Sequence, residues 1–303
     1  MIVVFGSINI DLVTRLQRIP APGETVLGKS YDVIPGGKGA NQALAAARAG
    51  AEVVMIGAVG RDGFAETALT LLREAEVDLA SVRAADRPTG AAFISVDAEG
   101  RNAIVVASGA NAAPRADWIS EAVWARTSTL LLQREAPEEA TRIVAREAKS
   151  RGVRVIMNAA PADDFDPAIL SEIDTLIVNE HEAAIVARSL GWSDKEPSEI
   201  ARRLDREKSV GTIATLGAEG VFASLRSEEI KVLAPRVSVV DTTAAGDSFC
   251  GAFAAALDRG ADASAALRFA VAAGSLACTK TGAQTSVPFR ADIERLADSV
   301  NAR

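Results

Sequence analysis

Residues able to do chemistry fall in short runs edged by glycine and alanine, and the densest is VVDTTAAGDSFCGAF, Val239 to Phe253. It sets Asp241 and Asp247 on either side of two threonines, two alanines and a glycine, then opens an apolar helix. Ala244, Ala245 and Gly246 put little bulk over their backbone. Their N–H groups can converge at the helix N-terminus as an anion hole for charge growing on a transferring phosphoryl group. Asp247, in the first turn, also suits the helix dipole, which alone would explain an acidic residue there. A carboxylate beside such a hole is where a base for an attacking hydroxyl has to stand.

Four other runs carry candidate groups. GSINID leaves a first strand with Asn9 and Asp11 at alternate positions, so that an amide and a carboxylate share a face suited to vicinal hydroxyls. The competing reading is turn chemistry, for which Asn and Asp are common. PGGKGANQALAAARAG surrounds Lys38 with Gly36, Gly37 and Gly39 ahead of an Ala-rich helix closed by Gly50. The glycines let a ligand approach the backbone, and Lys38 and Asn41 offer donors. LLLQRE places Glu135 just past a strand, and IVNEHEAA sets Asn179 and Glu182 three apart at a helix start. That pair can organise Mg²⁺-bound water or simply form a capping box. TLGAEG, Thr215 to Gly220, is a strand-end turn that borders a nucleotide or makes a hairpin with VFASL.

Several chemistries are excluded. The single histidine, His181, lies in a charged helical run and rules out a multi-histidine zinc site. Cys250 and Cys278 are too few for a disulfide framework and read as buried thiols. GETVLGKS, Gly23 to Ser30, matches the pattern of a phosphate-binding P-loop, but Pro20 and Pro22 precede it and Pro35 stops any helix after it. No run offers G-x-G-x-x-G between a strand and a helix, so a dinucleotide oxidoreductase is poorly supported. Catalysis then rests on carboxylates, lysines and backbone dipoles.

The elements that must hold these groups follow from the pattern. The 303 residues are 49% hydrophobic with only 4% aromatic, which suits Ala-rich helices on Val/Ile strands. IVVFG, AEVVMIGAVG, TLLLQ, GVRVIMNAA, DTLIVNE and GTIATLG read as buried strands alternating with amphipathic helices. That alternation predicts an α/β fold with a mostly parallel central sheet flanked by helices, ligands lying beyond the carboxyl ends of its strands. Residues 11–34 and 89–107 break the rhythm as strands with turns, the second a hairpin around DAEG. They predict a small β-sheet lid on a single domain spanning 1–303. Open strand edges in such a lid predict a homodimer built through the two lids. The charge of −7 without a basic block argues against nucleic acid as partner, and the apolar runs are too short to span a membrane. MIVVFGSINID has no basic leader, so a cytoplasmic location is expected.

In order and spacing, GSINID, PAPGETVLG, PGGKGANQA, GANAA, LQREAP, NEHEAA, TLGAEG, DTTAAGDSFCGAF and GAQTSVP together resemble the ribokinase-like (PfkB-type) sugar kinases nearly end to end. The resemblance implies a three-layer fold with a β-lid and ATP-dependent phosphorylation of D-ribose at O5. Within the family, deoxyribose, fructose, 2-keto-3-deoxygluconate or a nucleoside are the alternatives; a non-enzymatic sugar-binding regulator is the other class. It implies Asp247 as base, Ala244 to Gly246 as anion hole, and Asn9, Asp11, Gly37, Lys38, Gly39, Asn41 and Glu135 around the sugar. Asn179, Thr215, Gly217, Gly220, Gly246 and Val271 would border ATP, with Glu182 in the Mg²⁺ water network. A monovalent cation, K⁺, would lie among Asp241, Thr243, Ala277, Lys280, Gly282 and Ser286. Three positions depart from the family pattern: Asn158-Ala159-Ala160-Pro161 replaces NPAP, Val271 stands where Asn or His is frequent, and Arg134 stands where an apolar residue is common. Arg134 is expected to change the wall of the sugar pocket.

Overall fold

The computed structural model describes residues 1–300. The chain enters through β1 (Ile2–Phe5), β2 (Asn9–Arg15), β3 (Tyr31–Gly36), α1 (Lys38–Arg48), β4 (Val53–Val59), α2 (Phe64–Glu74) and β5 (Val82–Ala84). The hairpin β6 (Gly90–Val96) and β7 (Asn102–Ala107) leads to α3 (Glu121–Trp124), β8 (Thr129–Leu132), α4 (Glu138–Ser150) and β9 (Arg154–Asn158). Then come β10 (Thr175–Asn179), α5 (Glu180–Ser189), α6 (Pro197–Lys208) and β11 (Gly211–Thr215). β12 (Val221–Leu225), β13 (Glu228–Val232), α7 (Ala245–Asp258), α8 (Ala263–Ala277) and α9 (Arg290–Ala297) complete it.

Nine strands form the main sheet in the order β13-β12-β11-β10-β9-β8-β1-β4-β5, parallel from β11 to β5, with β12 and β13 added antiparallel at one edge. Alternation along each strand feeds two cores. Ile2 and Val4 of β1 pack with Leu44, Phe249 and Phe253 on the α1, α7 and α8 side. Val3 and Phe5 pack with Val144, Val186 and Leu204 on the α4, α5 and α6 side. Small residues let the helices close up: a Cβ on Gly251 of α7 would stand 2.5 Å from the Gln42 carbonyl of α1. The expected three-layer architecture is present, with every strand read from the sequence in the sheet.

The second sheet is the lid, ordered β3-β2-β6-β7. Its pairing begins at Asn9 and extends to Gly36, while residues 16–30 form no strand, because Pro20 and Pro22 withhold the N–H groups a ladder needs. Gly23–Ser30 lies in that irregular stretch and leads into β3, not a helix, so the P-loop match has no phosphate-binding context. In the β6–β7 turn the buried Asp97 carboxylate accepts the Glu99 and Arg101 N–H groups at 3.0 Å each. His181 lies on α5, as its charged helical run predicted, and is exposed. Cys250 is buried, whereas Cys278, capping the end of α8, is partly exposed; helix ends have neighbours on fewer sides than helix middles. Among the described residues no helix is long and apolar enough to cross a membrane.

Candidate active site

Strands β1, β8, β9, β10 and β11 end at one edge of the sheet, and the N-termini of α1 and α7 open onto it. At that edge β1 gives way to Ser7–Asn9 without a turn of its own. The connection is held by Asn111, whose side chain accepts the Ile8 N–H at 2.8 Å and donates to Asn9 Oδ1 at 2.5 Å. Gly90 leaves the room for that pair, since a Cβ there would stand 2.2 Å from both amides.

Glycines bring α1 against the same segment. Gly37 is left-handed (φ 88°), and a Cβ would lie 2.7 Å from the Asn9 nitrogen; one on Gly39 would lie 2.5 Å from the Ser7 nitrogen. Their clearance is therefore taken up by the chain's own backbone. Gly36 leaves space for a side chain, the Asp11 carboxylate. Glu135, past the end of β8, accepts from Ser7 Oγ at 2.6 Å and the Lys38 N–H at 3.0 Å, fixing the start of α1 to the sheet.

The base candidate closes the pocket from the other helix. Asp247 is buried, and its two oxygens accept separately: Oδ2 from Asn41 Nδ2 and Oδ1 from Gln42 Nε2, each at 2.9 Å. Ahead of it Ala244 is left-handed (φ 57°), costing an L-residue roughly 1–2 kcal/mol. The first bond inside the helix runs from the Ser248 N–H to Ala244 O at 2.8 Å, and ahead of it the Ala245 N–H donates back to Thr242 O at 3.3 Å, which leaves the Gly246 and Asp247 N–H groups at the open helix start. The space beside Gly246 is open, with nothing within 4 Å of a Cβ position.

Charge is concentrated here. Burial pushes Asp11 up to about 7, helped by the charges of Glu135 and Asp247 and opposed by Lys38. Burial pushes the Lys38 ammonium down, but Asp247, Glu135 and Glu182 outweigh it and hold it above its ordinary value. Burial also raises Glu182. Its carboxylate completes the capping box with Asn179, accepting the Asn179 N–H and Nδ2 at 2.9 Å each.

Thr215 ends β11, and Gly217 and Gly220, both left-handed, turn the chain into β12, so TLGAEG forms the hairpin with VFASL. Val271 is buried among apolar side chains of the core. The expected cation residues lie on two loops and at the last position of α8, the loops being joined by Asp241, whose Oδ2 accepts the Gly282 N–H at 2.9 Å and whose Oδ1 accepts from Thr243. Burial alone would raise Asp241, but these hydrogen bonds hold it below its ordinary value. Ala277 and Ser286 are buried beside that loop, Ser286 Oγ donating to Ala283 O at 2.8 Å, and Lys280 is exposed. Arg134 is not turned toward Asp11 or Asp247. Its guanidinium donates to the carbonyls of Pro161, Asp163 and Asp164 and stacks over Phe165, so one loop meets its donors. Sequence reading missed Ser7, Gln42, Asn111 and Gln133 as site residues; the polar interruptions of otherwise apolar runs were the available signal.

A family model described as pfkB family carbohydrate kinase matches residues 1–290. The chain is 39% identical over 291 residues to the ribokinase of Haemophilus influenzae, covering 95% of each. The ribokinase of Thermotoga maritima superposes with a TM-score of 0.89 at 34% identity, covering 98% of this chain and 99% of that one. Arabidopsis thaliana ribokinase complexed with ribose and ATP superposes with a TM-score of 0.88 at 32% identity over 98% of both chains. With its fold and nearly its whole length matched, the chain belongs to the pfkB family of carbohydrate kinases.

Proposed function

We propose that this kinase transfers the γ-phosphoryl group of ATP to O5 of D-ribose, giving ribose 5-phosphate and ADP, with Asp247 as base. One observation carries the reading. Asp11, Lys38, Asn41 and Glu135 gather around Asp247 at the strand ends, Asn9 lies two positions before Asp11 on β2, and the buried Asn41 Oδ1 has no partner within the protein. Such an acceptor suits a sugar hydroxyl. The Asp247 carboxylate takes the O5 proton as the O5–phosphorus bond forms and the bond to the β-phosphate oxygen breaks. The amides of Ala244 to Gly246 hold the charge on the transferring group, that of Ala245 by leaving its 3.3 Å bond to Thr242 O. Asn179, Thr215, Gly217, Gly220 and Val271 border the nucleotide in this reading.

The donor sets fit the two cations. Glu182 has both oxygens in the capping box but keeps a further lone pair on each, which suits contact with Mg²⁺ through water. Oxygen donors of Asp241, Thr243, Ala277, Lys280, Gly282 and Ser286 suit K⁺, and the Asp241–Gly282 bond ties that site to the start of α7. When bound, Mg²⁺ would neutralise phosphate charge and K⁺ would steady the anion-hole loop.

The lids pair two copies. Register aligns Leu12, Val33, Phe93 and Val105 in one row across the sheet, and Phe93 and Val105 are 50% and 67% exposed. An apolar row of this kind is unusual on a monomer surface.

An ADP-release assay with ATP, Mg²⁺ and K⁺ tests the substrate over D-ribose, deoxyribose, fructose, 2-keto-3-deoxygluconate and a nucleoside. D-ribose is expected to give the highest kcat/KM. A better turnover of any other sugar moves the assignment to that sugar, and no turnover of pentoses removes it.

A further inference from the structure

Directly behind the Asp247 carboxylate stands a residue that neither touches the sugar pocket nor fills an apolar gap. Gln42 is fully buried, in an otherwise Ala-rich stretch of α1. Its Nε2 donates to Asp247 Oδ1 at 2.9 Å and lies 3.3 Å from Asn158 Oδ1 at the end of β9. Its Oε1 accepts from Gln133 Nε2 at 2.8 Å. A flipped amide would set oxygen against carboxylate and place two donors face to face, so only one orientation satisfies all of these partners.

Gln133 is held by that one bond and by packing. It is fully buried just past β8, its own Oε1 has no hydrogen-bond partner, and a Cβ on Gly6 would stand 2.0 Å from that oxygen, so the amide occupies the space a side chain there would fill. Asn158 in turn donates to Ile177 O on β10 at 3.3 Å. A run of neutral amides thus reaches from three adjacent strands of the sheet, through one residue of α1, to one oxygen of the carboxylate on α7.

The neighbour Asn41 takes the other oxygen but keeps its own Oδ1 unpartnered. The two adjacent residues therefore divide the work: Asn41 faces base and ligand, and Gln42 faces the base alone. We propose that Gln42, held by Gln133, is a positioning residue that sets the angle at which Asp247 meets the attacking hydroxyl. The inference rests on Asp247 being the base. Misplacing a reacting group by about 1 Å costs up to about a hundredfold in rate, whereas a group that makes no ligand contact leaves substrate binding alone.

Gln42→Leu keeps the volume and removes the amide. With D-ribose, its kcat is expected to fall about 10–100-fold while KM for the sugar stays within about twofold. Gln133→Leu frees the Gln42 amide to turn, and is expected to lower kcat about 3–10-fold at constant KM. In the Gln42→Leu background it should add nothing, as members of one chain are not additive. An unchanged kcat in Gln42→Leu overturns the proposal, as does a rise in KM that accounts for the loss, or full additivity of the two. If Gln42→Leu does not fold, Gln133→Leu decides alone: a kcat loss at constant KM supports the proposal and an unchanged kcat overturns it. Asp247→Asn separates the two readings. Wild-type turnover in that variant removes the base itself, and with it this proposal; its collapse beside an unaffected Gln42→Leu sinks the positioning role only.

Discussion

Asp247 and Asp11 approach one pocket from opposite sides, the first from the body of the molecule and the second from the lid. Asp247 sits at a helix N-terminus with an amide donor on each oxygen, and those amides are anchored in the central sheet. Asp11 lies on β2, draws no hydrogen bond that would lower its pKa, and is pushed up to about 7 by burial and the neighbouring carboxylates. The body has satisfied its carboxylate with donors in advance; the lid leaves its carboxylate's acceptor positions for a ligand. The difference follows from support. A strand in a four-stranded sheet presents side chains to the pocket from one layer, whereas α1 and α7 meet closely enough to carry a second layer of amides behind the first.

The comparison breaks most sharply at the body side. Asp247→Asn keeps the shape and both helices but cannot accept the proton, so kcat should fall about 10²–10⁴-fold. Sugar binding by calorimetry should survive. Comparable turnover in variant and wild type would make the two carboxylates equivalent.

On the lid side the effect is on pH dependence. Because the folded value for Asp11 lies above the unfolded one, the folded chain holds a proton that the unfolded chain releases. The stabilisation is complete below the unfolded-chain value of 3.8 and is lost as pH rises through about 7. Asp11→Asn mimics the protonated form and loses nothing. In denaturant titrations its advantage over wild type should widen by roughly 2–3 kcal/mol between pH 5 and pH 8 and level off above that. A constant difference across the range would remove the raised value.

The smallest effect on folding is expected at the lid's outer row. Phe93→Asp should leave the unfolding free energy within about 0.5 kcal/mol, as surface changes usually do. Light scattering should nevertheless show a dimeric mass falling to a monomeric one. A monomeric wild type would sink the lid-to-lid pairing.

Much of this was legible in the chain. Val/Ile runs of four to seven residues between Ala-rich helices can only be covered on both faces, which is why IVVF, TLLL and TLIVN marked the parallel sheet. The Asn179–Glu182 spacing announced the capping box now present, and AAGD announced a helix start. Local spacing carries such features because their partners lie within one turn.

What the sequence by itself determined is the order of elements, the lid's strands and the short polar runs that meet the strand ends. Only the tertiary structure decided which polar groups serve one another. Gln42 and Asp247 are 205 positions apart and Gln133 and Gln42 are 91, so no local pattern links them. Arg134, one residue from Glu135, gave no sign in sequence that it would swing to the carbonyls of residues 161–164. The glycines at 37 and 39 read as clearance for a ligand until the fold set the Ser7–Asn9 backbone against them. Periodicity is a property of neighbours along the chain, while hydrogen-bond satisfaction in a buried site is a property of neighbours in space.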